Sequence, residues 1–262
     1  FAGQFWAITE YTRYSMRGPS EIDNPALKGQ ESGLTKSYAF DYNYGIWEPM
    51  TLLIPEFYGG SSRTSLISDQ DSDVYQALVQ QAGDQQTANR LAQYASAYWG
   101  PQRSGTIGPY YAGAIVCFLF VVGLFYADKK YIWWLLPLSI LSIMLSWGES
   151  FPAFNYFIFD HLPGYNKFRS VNFALIIILF AMPLLGLIGL ENLLRRGNAK
   201  DNLKKFLWPA GIVGGICLVL ALTGGTGDFL RDFEEQLPAW FTNALQGERS
   251  DLLKGDAWRS FL

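Results

Sequence analysis

Charge is missing from four long stretches of this chain. Residues 109–127, 131–147, 171–190 and 206–223 hold no Asp, Glu, Lys or Arg. Histidine occurs once, as His161, and with no second ligand nearby it argues against a metal site. The two cysteines, Cys117 and Cys217, both fall inside charge-free stretches. There they read as small apolar side chains and say nothing of the redox compartment. No long basic run is present and the net charge is -3, which argues against a nucleic-acid partner. A P-loop, a GxGxxG before a helix, HExxH, GxSxG and CxxC are all missing, so ATP-driven, nicotinamide and zinc chemistry have no support. No cofactor is evident, and the sequence leaves a divalent metal open. Internal repeats and low-complexity tracts are also lacking. The chain opens on Phe1, with no secretory signal ahead of it, and closes on Ser260-Phe261-Leu262; it reads as an internal piece of a longer membrane protein.

What is present fits a mainly α, polytopic membrane protein with a small helical, loop-rich extracytoplasmic domain. Each charge-free stretch is about long enough to cross a hydrocarbon core of roughly 30 Å. The first, 109–127, carries nine large aliphatic or Phe residues. At about -0.3 to -0.6 kcal/mol each, they favour insertion by about 3–5 kcal/mol with no charge to oppose it. Aromatics at 16% and nine tryptophans suit rings placed at membrane interfaces. The alternative is four buried helices in one large soluble core, although such helices rarely run this long without charge.

Orientation follows from the short loops. Lys129-Lys130 and the cluster Arg195, Arg196, Lys200, Lys204 and Lys205 lie on one side if the four spans alternate, and the positive-inside bias makes that side cytoplasmic. Segments 17–108, 148–170 and 224–262 are then extracytoplasmic. The acidic tail agrees, with Asp228, Asp232, Glu234, Glu235, Glu248, Asp251 and Asp256 outnumbering its basic residues. Residues 1–16 read as the end of a preceding transmembrane helix, with Phe1, Phe5 and Ile8 on one face and Trp6 at the interface. Gly18-Pro19 marks a turn. The piece 47–54, bracketed by Pro49 and Pro55, suits a short surface helix. Residues 61–70 read as a linker. Helices are expected over 71–82 and 87–98, with Ser72 and Thr87 as N-caps and Gly100-Pro101 ending the second. In the tail, 237–245 suits the interface and 256–262 the start of a further helix.

The loop 148–170 is the stretch best suited to chemistry. Phe154, Phe157, Ile158 and Leu162 recur at helical spacing, so 152–162 can lie in the membrane plane with its apolar face down. Lys167 and Arg169 follow, against the positive-inside trend. They fit a lipid phosphate or pyrophosphate, onto which a guanidinium can fork; the plainer reading is snorkelling to ordinary headgroups. Glu149 is a candidate general base, a candidate partner for Arg169, or an exposed helix-end carboxylate. His161 and Asp160 read as interfacial polar residues. In the first polar segment the charges near aromatic or Gly/Pro turns are Arg13, Arg17, Glu21, Asp41, Glu48 and Glu56. With Tyr38, Phe40, Tyr42, Tyr44 and Trp47 they would suit a glycan-binding cleft, and Arg17, Glu48 and Trp47 are the acceptor-contact candidates. The run YAFDYNY reads equally as an alternating strand that only packs.

The order SMRGPSE, WEPMTLLIPEFYGG, a helical insert ending YWG, and WGESFPAFNYFIFDHLPGYNKFRSVNF resembles the YfhO-type bacterial membrane proteins, in a form similar to those of the Bacteroidetes. GERSDLLKGDAWRS resembles the segment leading into that family's next spans. The resemblance implies a GT-C-like membrane glycosyltransferase in the bacterial inner membrane. The donor would be a sugar on a polyprenyl phosphate and the acceptor a cell-envelope glycan, polymer or lipid. It also implies that the principal catalytic carboxylate lies in an outer loop upstream of Phe1, with Arg169 and Lys167 contacting the donor phosphate. Two other classes stand beside it. One is a non-catalytic scaffold or accessory subunit holding other envelope membrane proteins. The other is a transporter, against which the charge-free spans speak.

Overall fold

A computed structural model of the chain describes residues 2–12, 14–15, 34–101, 108–195, 199–225 and 227–262. The protein is mainly helical, with 69% of residues in helix and no strand among the described residues. Ten α-helices are described. They are α1 (Ala2–Thr12), α2 (Lys36–Ala39), α3 (Asp73–Gln81), α4 (Gln85–Ala92), α5 (Ala114–Tyr126), α6 (Lys129–Ser146), α7 (Pro152–His161), α8 (Ile176–Arg195), α9 (Ala199–Thr223) and α10 (Ala239–Phe261). Arg13, Arg17, the Gly18-Pro19 turn, Glu21 and Arg196 lie outside the described residues, as does Phe1.

Helices α5, α6, α8 and α9 form an apolar bundle. Small residues set its closest crossing. A Cβ built on Gly189 would stand 2.5 Å from the Cα of Gly123, and one on Gly186 would stand 2.8 Å from the backbone of Leu119. Here α5 and α8 touch through their backbones, as tightly packed apolar helices do when glycines face each other. Ser142 of α6 stitches in the start of α8. Its hydroxyl donates to the Ala174 carbonyl at 2.7 Å and accepts from the Ile178 amide at 3.3 Å. The backbone over Val171–Leu175 is a tighter 3₁₀ turn leading into α8.

Two helical stretches, Val171–Arg195 and Lys204–Thr223, are long and apolar enough to cross a membrane. Helix α5 is shorter than the 109–127 stretch that predicts it. The amides of Ala112 and Gly113 both donate to the Leu52 carbonyl, at 3.0 and 3.1 Å, which keeps them out of the helix and delays its start to Ala114. Helix α6 opens on Lys129 and Lys130 and carries Pro137 inside it. Apolar side chains face outward on all four helices. Ile115, Phe125, Trp133, Ile140, Ile176, Phe180, Leu187, Leu207, Trp208 and Val219 are all exposed. Only 17% of the apolar window of α9 is buried.

A second core forms from α3, α4 and the first half of α10. Val74, Leu78, Leu91, Ala95, Phe241 and Leu245 are buried together with Leu66. Ser72 caps α3 as expected, accepting from the Tyr75 amide at 3.2 Å. The cap of α4 is Asp84 and not Thr87. Its carboxylate accepts both the amide and the hydroxyl of Thr87, at 2.8 and 2.9 Å, so the helix begins at Gln85, two residues early. It also ends early, at Ala92, because Ala95 and Ala97 pair with the stretch read as a linker. The Leu66 amide donates to the Ala95 carbonyl at 2.8 Å and the Ala97 amide to the Thr64 carbonyl at 2.9 Å.

The stretch 237–245 turns its apolar side chains into this core. Phe241 and Leu245 are fully buried against α3 and α4, because α10 is one helix of 23 residues and 256–262 is its end. Its second half runs back along α9: a Cβ on Gly224 would meet Lys254 and Ser250, while one on Gly214 would meet Phe261.

Two further short segments differ from their sequence reading. The run YAFDYNY is not a strand. Thr35 caps the short helix α2 by accepting from the Tyr38 amide, and a turn follows at Phe40–Tyr42, with Ala39 and Phe40 buried and Tyr38 and Tyr42 half-exposed. The piece 47–54 contains a 3₁₀ turn, Glu48–Leu52, but it is driven into the core. Leu52, Leu53 and Ile54 are buried among α5, α8, α9 and α10 residues.

Candidate functional site around Arg169

Three segments converge on Arg169. The chain leaves α7, turns through a 3₁₀ segment at Tyr165–Lys167 and reaches Ser170, whose φ of 66° is left-handed. Among the described residues it is the only non-glycine with positive φ, a conformation unusual for a residue with a Cβ. The kink is held from both sides. The Ser170 amide donates to the Ala39 carbonyl at 3.3 Å and the Asn172 amide to the Tyr42 carbonyl at 3.4 Å. The 38–42 turn is therefore bound to the 169–172 kink by backbone bonds, and side chains complete the join.

The Arg169 guanidinium sits between two tyrosine rings, its central carbon 4.2 Å from the Tyr38 ring centroid and 4.7 Å from that of Tyr42. Such stacking on aromatic faces is favourable for a guanidinium. Nη1 donates to the Tyr38 hydroxyl and Nη2 to Asp41 Oδ2, both at 3.0 Å. Two of the five guanidinium N–H groups are thus used. Nε has no partner among the described residues. The side chain keeps about a third of its surface, 32%. The partner sought for Arg169 is Asp41; Glu149 stands exposed in its own 3₁₀ turn, Gly148–Ser150. Lys167 lies half-buried two residues before Arg169.

The surroundings fix this node. Asn43 Nδ2 donates to the Trp147 carbonyl and to the Ser150 hydroxyl, both at 3.0 Å, tying the turn to the end of α6. The Tyr44 amide donates to the Ser146 carbonyl at 2.7 Å. Burial pushes the Tyr44 phenol far above its ordinary range, so it stays protonated beside the Tyr110 amide that it accepts at 2.9 Å. Burial also raises the Tyr165 hydroxyl, to about 12. On α7, Asn155 is buried and donates to the Met144 carbonyl at 2.9 Å, anchoring the helix to α6. Phe157 and Leu162 are exposed. Lys36 and Asp160 pair at 2.7 Å beside the Tyr156 ring. His161 stacks on Phe157 and bonds the Phe157 carbonyl through Nδ1 at 2.9 Å.

The acceptor-contact candidates are not assembled with Arg169. Glu48 is buried, Oε2 accepting from the Gly45 amide at 2.7 Å and Oε1 from the Tyr98 hydroxyl at 3.1 Å. It closes a turn and presents no carboxylate to solvent. Trp47 is exposed beside an apolar groove of about 430 Å³ shared with Met50, Ile143 and Trp147. Arg17 lies outside the described residues. Among the described residues, no group of three or more His, Cys, Asp or Glu side chains is placed to hold a metal.

Two polar clusters carry no motif. Glu234 and Arg249 form a pair exposed by 1% and 0%, with contacts of 2.6 and 2.9 Å. All five guanidinium donors are engaged, because Ser96 and Phe229 supply the remaining carbonyl acceptors. In the other, Asp256 accepts the Glu56 amide at 2.9 Å and stands 3.7 Å from the Arg259 guanidinium. Burial, and then the Asp256 charge, raise the Glu56 carboxyl above its ordinary value. Comparison of the chain with family models, with curated proteins and with solved structures finds no match.

Proposed function

We propose that this chain belongs to a multi-pass glycosyltransferase of the bacterial inner membrane, of YfhO and GT-C type. It moves a sugar from polyprenyl phosphate to an envelope acceptor on the outer face. Support for the membrane comes from the outward-facing apolar side chains of α5, α6, α8 and α9. A soluble bundle would turn those faces inward, whereas a bilayer solvates them. Four spans alternate in this reading. Lys129, Lys130 and Arg195 mark the cytoplasmic ends, and α7 lies in the outer interface with Phe157 and Leu162 toward lipid.

The observation that carries the chemistry is the preorganised Arg169. A cation held by two rings and a carboxylate at the mouth of a long apolar helix needs little reorganisation to meet a phosphate. Two N–H groups remain for it, one on each Nη, while Nε is buried, and Lys167 adds charge at the same turn. In transfer, a base takes the acceptor hydroxyl proton, the acceptor oxygen bonds to the anomeric carbon, and the bond from that carbon to the phosphate oxygen breaks. The electron pair leaves on polyprenyl phosphate. Arg169 and Lys167 stabilise the growing charge, which fixed cations do best where water is sparse. Glu149 is the exposed carboxylate of the same end of α6 and stands as a candidate base.

The test is transfer from a panel of polyprenyl-phosphate sugars by the full chain and by Arg169→Ala. Loss of about 100-fold or more is expected, the usual effect of removing one charge-stabilising donor. Full activity in Arg169→Ala refutes the role. A second reading, a non-catalytic scaffold for other envelope proteins, is favoured by α1, which exposes Trp6, Ile8 and Tyr11. Under that reading no donor yields transfer.

A further inference from the structure

One large groove plays no part in the Arg169 site. It measures about 750 Å³ and lies where α5, α9 and the end of α10 meet. Its walls are Ile115, Val116 and Phe118 from α5, Val213 and Gly214 from α9, and Phe261 from α10. The outer flank is open: Ile115 is 76% exposed, and a Cβ built on Gly211 or Gly215, the neighbouring glycines of α9, would meet nothing within 4 Å. One charged side chain lines it, Arg259, which is 73% exposed. Its acidic neighbour Asp256 lies at a long 3.7 Å and already accepts the Glu56 amide. Ser260, beside it, reaches the Leu53 carbonyl at 3.2 Å, which pins this turn of α10 to the 47–54 segment.

We infer that this groove binds an anionic glycerophospholipid of the outer leaflet, its acyl chain along α5 and α9 and its phosphate at Arg259. The inference rests on the multi-pass reading above, which places the groove's open side against lipid. Charge complementarity selects the headgroup. An apolar trough with a single incompletely paired guanidinium at its edge suits a chain that carries one negative group, because a guanidinium forks onto phosphate oxygens. A zwitterionic lipid brings a compensating cation and gains less. The sideways opening selects a bilayer lipid over the sugar donor, since the groove shares no residue with the Arg169 node.

The experiment is native mass spectrometry of the detergent-solubilised full chain, titrated in separate arms with phosphatidylglycerol, phosphatidylcholine and a polyprenyl phosphate. Phosphatidylglycerol is expected to be retained about 10-fold better than phosphatidylcholine, equivalent to about 1.4 kcal/mol. Arg259→Gln is expected to abolish that preference. Gly214→Leu, which fills the trough against Phe261, is expected to lower retention of both phospholipids. In the unmodified protein, photoreactive phosphatidylglycerol is expected to label peptides from 111–118 and 210–214, a readout independent of how the variants fold. Equal retention of the two headgroups, an unchanged preference in Arg259→Gln, or labelling confined elsewhere overturns the proposal. Displacement of phosphatidylglycerol by an equal amount of polyprenyl phosphate overturns the choice of occupant. Recovery of the chain in the soluble fraction without detergent would instead remove the membrane reading, and absence of sugar transfer leaves this test untouched.

Discussion

Removing the Glu234 carboxylate should unfold the core of α3, α4 and α10 before it disturbs the apolar bundle. Glu234 and Arg249 are essentially without solvent contact and meet through two short bonds. Glu234→Ala leaves a guanidinium with no counter-charge in a site that water does not reach. A broken buried pair of this kind costs about 3–5 kcal/mol. The loss does not stop at the pair. Arg249 also holds the Ser96 and Phe229 carbonyls, and the Glu234 carboxylate accepts the Arg231 amide at 2.9 Å. Replacing both partners, as Glu234→Leu with Arg249→Met, removes the stranded charge along with the attraction. It should cost far less than either single change, because buried ion pairs and well-packed apolar substitutes are of similar stability. The assay is thermal unfolding of the purified chain in detergent, followed by tryptophan fluorescence. Trp99 packs on Phe229 with ring centroids 4.8 Å apart, so it reports on this site. At about 2–4 °C per kcal/mol, Glu234→Ala should lower the midpoint by about 6–20 °C. A fall of only 1 or 2 °C, or a double variant as unstable as the sum of the singles, would refute the reasoning.

Four other outcomes are expected. Gly189→Leu drives a side chain into Gly123 and the Val122 carbonyl, and overpacking should cost about 1–3 kcal/mol or more, read as a lower melting midpoint and poorer yield. Because the folded Glu56 carboxyl titrates above its unfolded value, its contribution to stability is fully present below the unfolded pKa of about 4.3 and is lost as pH rises through the folded pKa. Glu56→Gln should therefore raise the melting midpoint at neutral pH and leave it little changed near pH 4, and an equal shift at both would contradict the sign. Asp41→Asn should loosen the clamp on Arg169, lowering transfer by about 10-fold while the melting midpoint moves little, since a partly exposed ion pair contributes only about 0–1 kcal/mol. Tyr38→Phe removes one acceptor from Arg169 but keeps the ring, so transfer should fall less than in Asp41→Asn.

The helical content was legible along the chain wherever one residue type set the local outcome. Charge-free runs located α5, α6, α8 and α9, and Ser72 announced the start of α3. Legibility failed where a distant partner competed. Residues 109–113 are apolar enough to extend α5, yet the Tyr44 hydroxyl takes the Tyr110 amide and the Leu52 carbonyl takes those of Ala112 and Gly113. YAFDYNY alternates as a strand would, yet it has no neighbouring strand, and Thr35 caps a helical turn inside it instead. The stretch 61–70 has the composition of a linker, but Leu66 finds a buried place against α3 and α10.

At the candidate site, Arg169 and Lys167 stood out because positive charge in a loop read as extracytoplasmic runs against the trend. The sequence also supplied the right rings and the right acid, Tyr38, Tyr42 and Asp41, but attached them to a glycan cleft. Asn43 and Asn172 carried no signal, since asparagine is common in any loop.

By itself the sequence determined where helices run, which ones shed charge and where the unusual cations sit, because these depend on local composition and spacing. Only the tertiary structure decided which groups meet. Asp41 reaches Arg169 across more than a hundred residues, Glu48 turns inward to Gly45 and Tyr98, and α10 folds back so that Arg249 can bury its charge on Glu234. Such pairings are selected by burial: a charge or amide withdrawn from water must find its complement in whatever segment packs beside it. No local pattern records which segment that is.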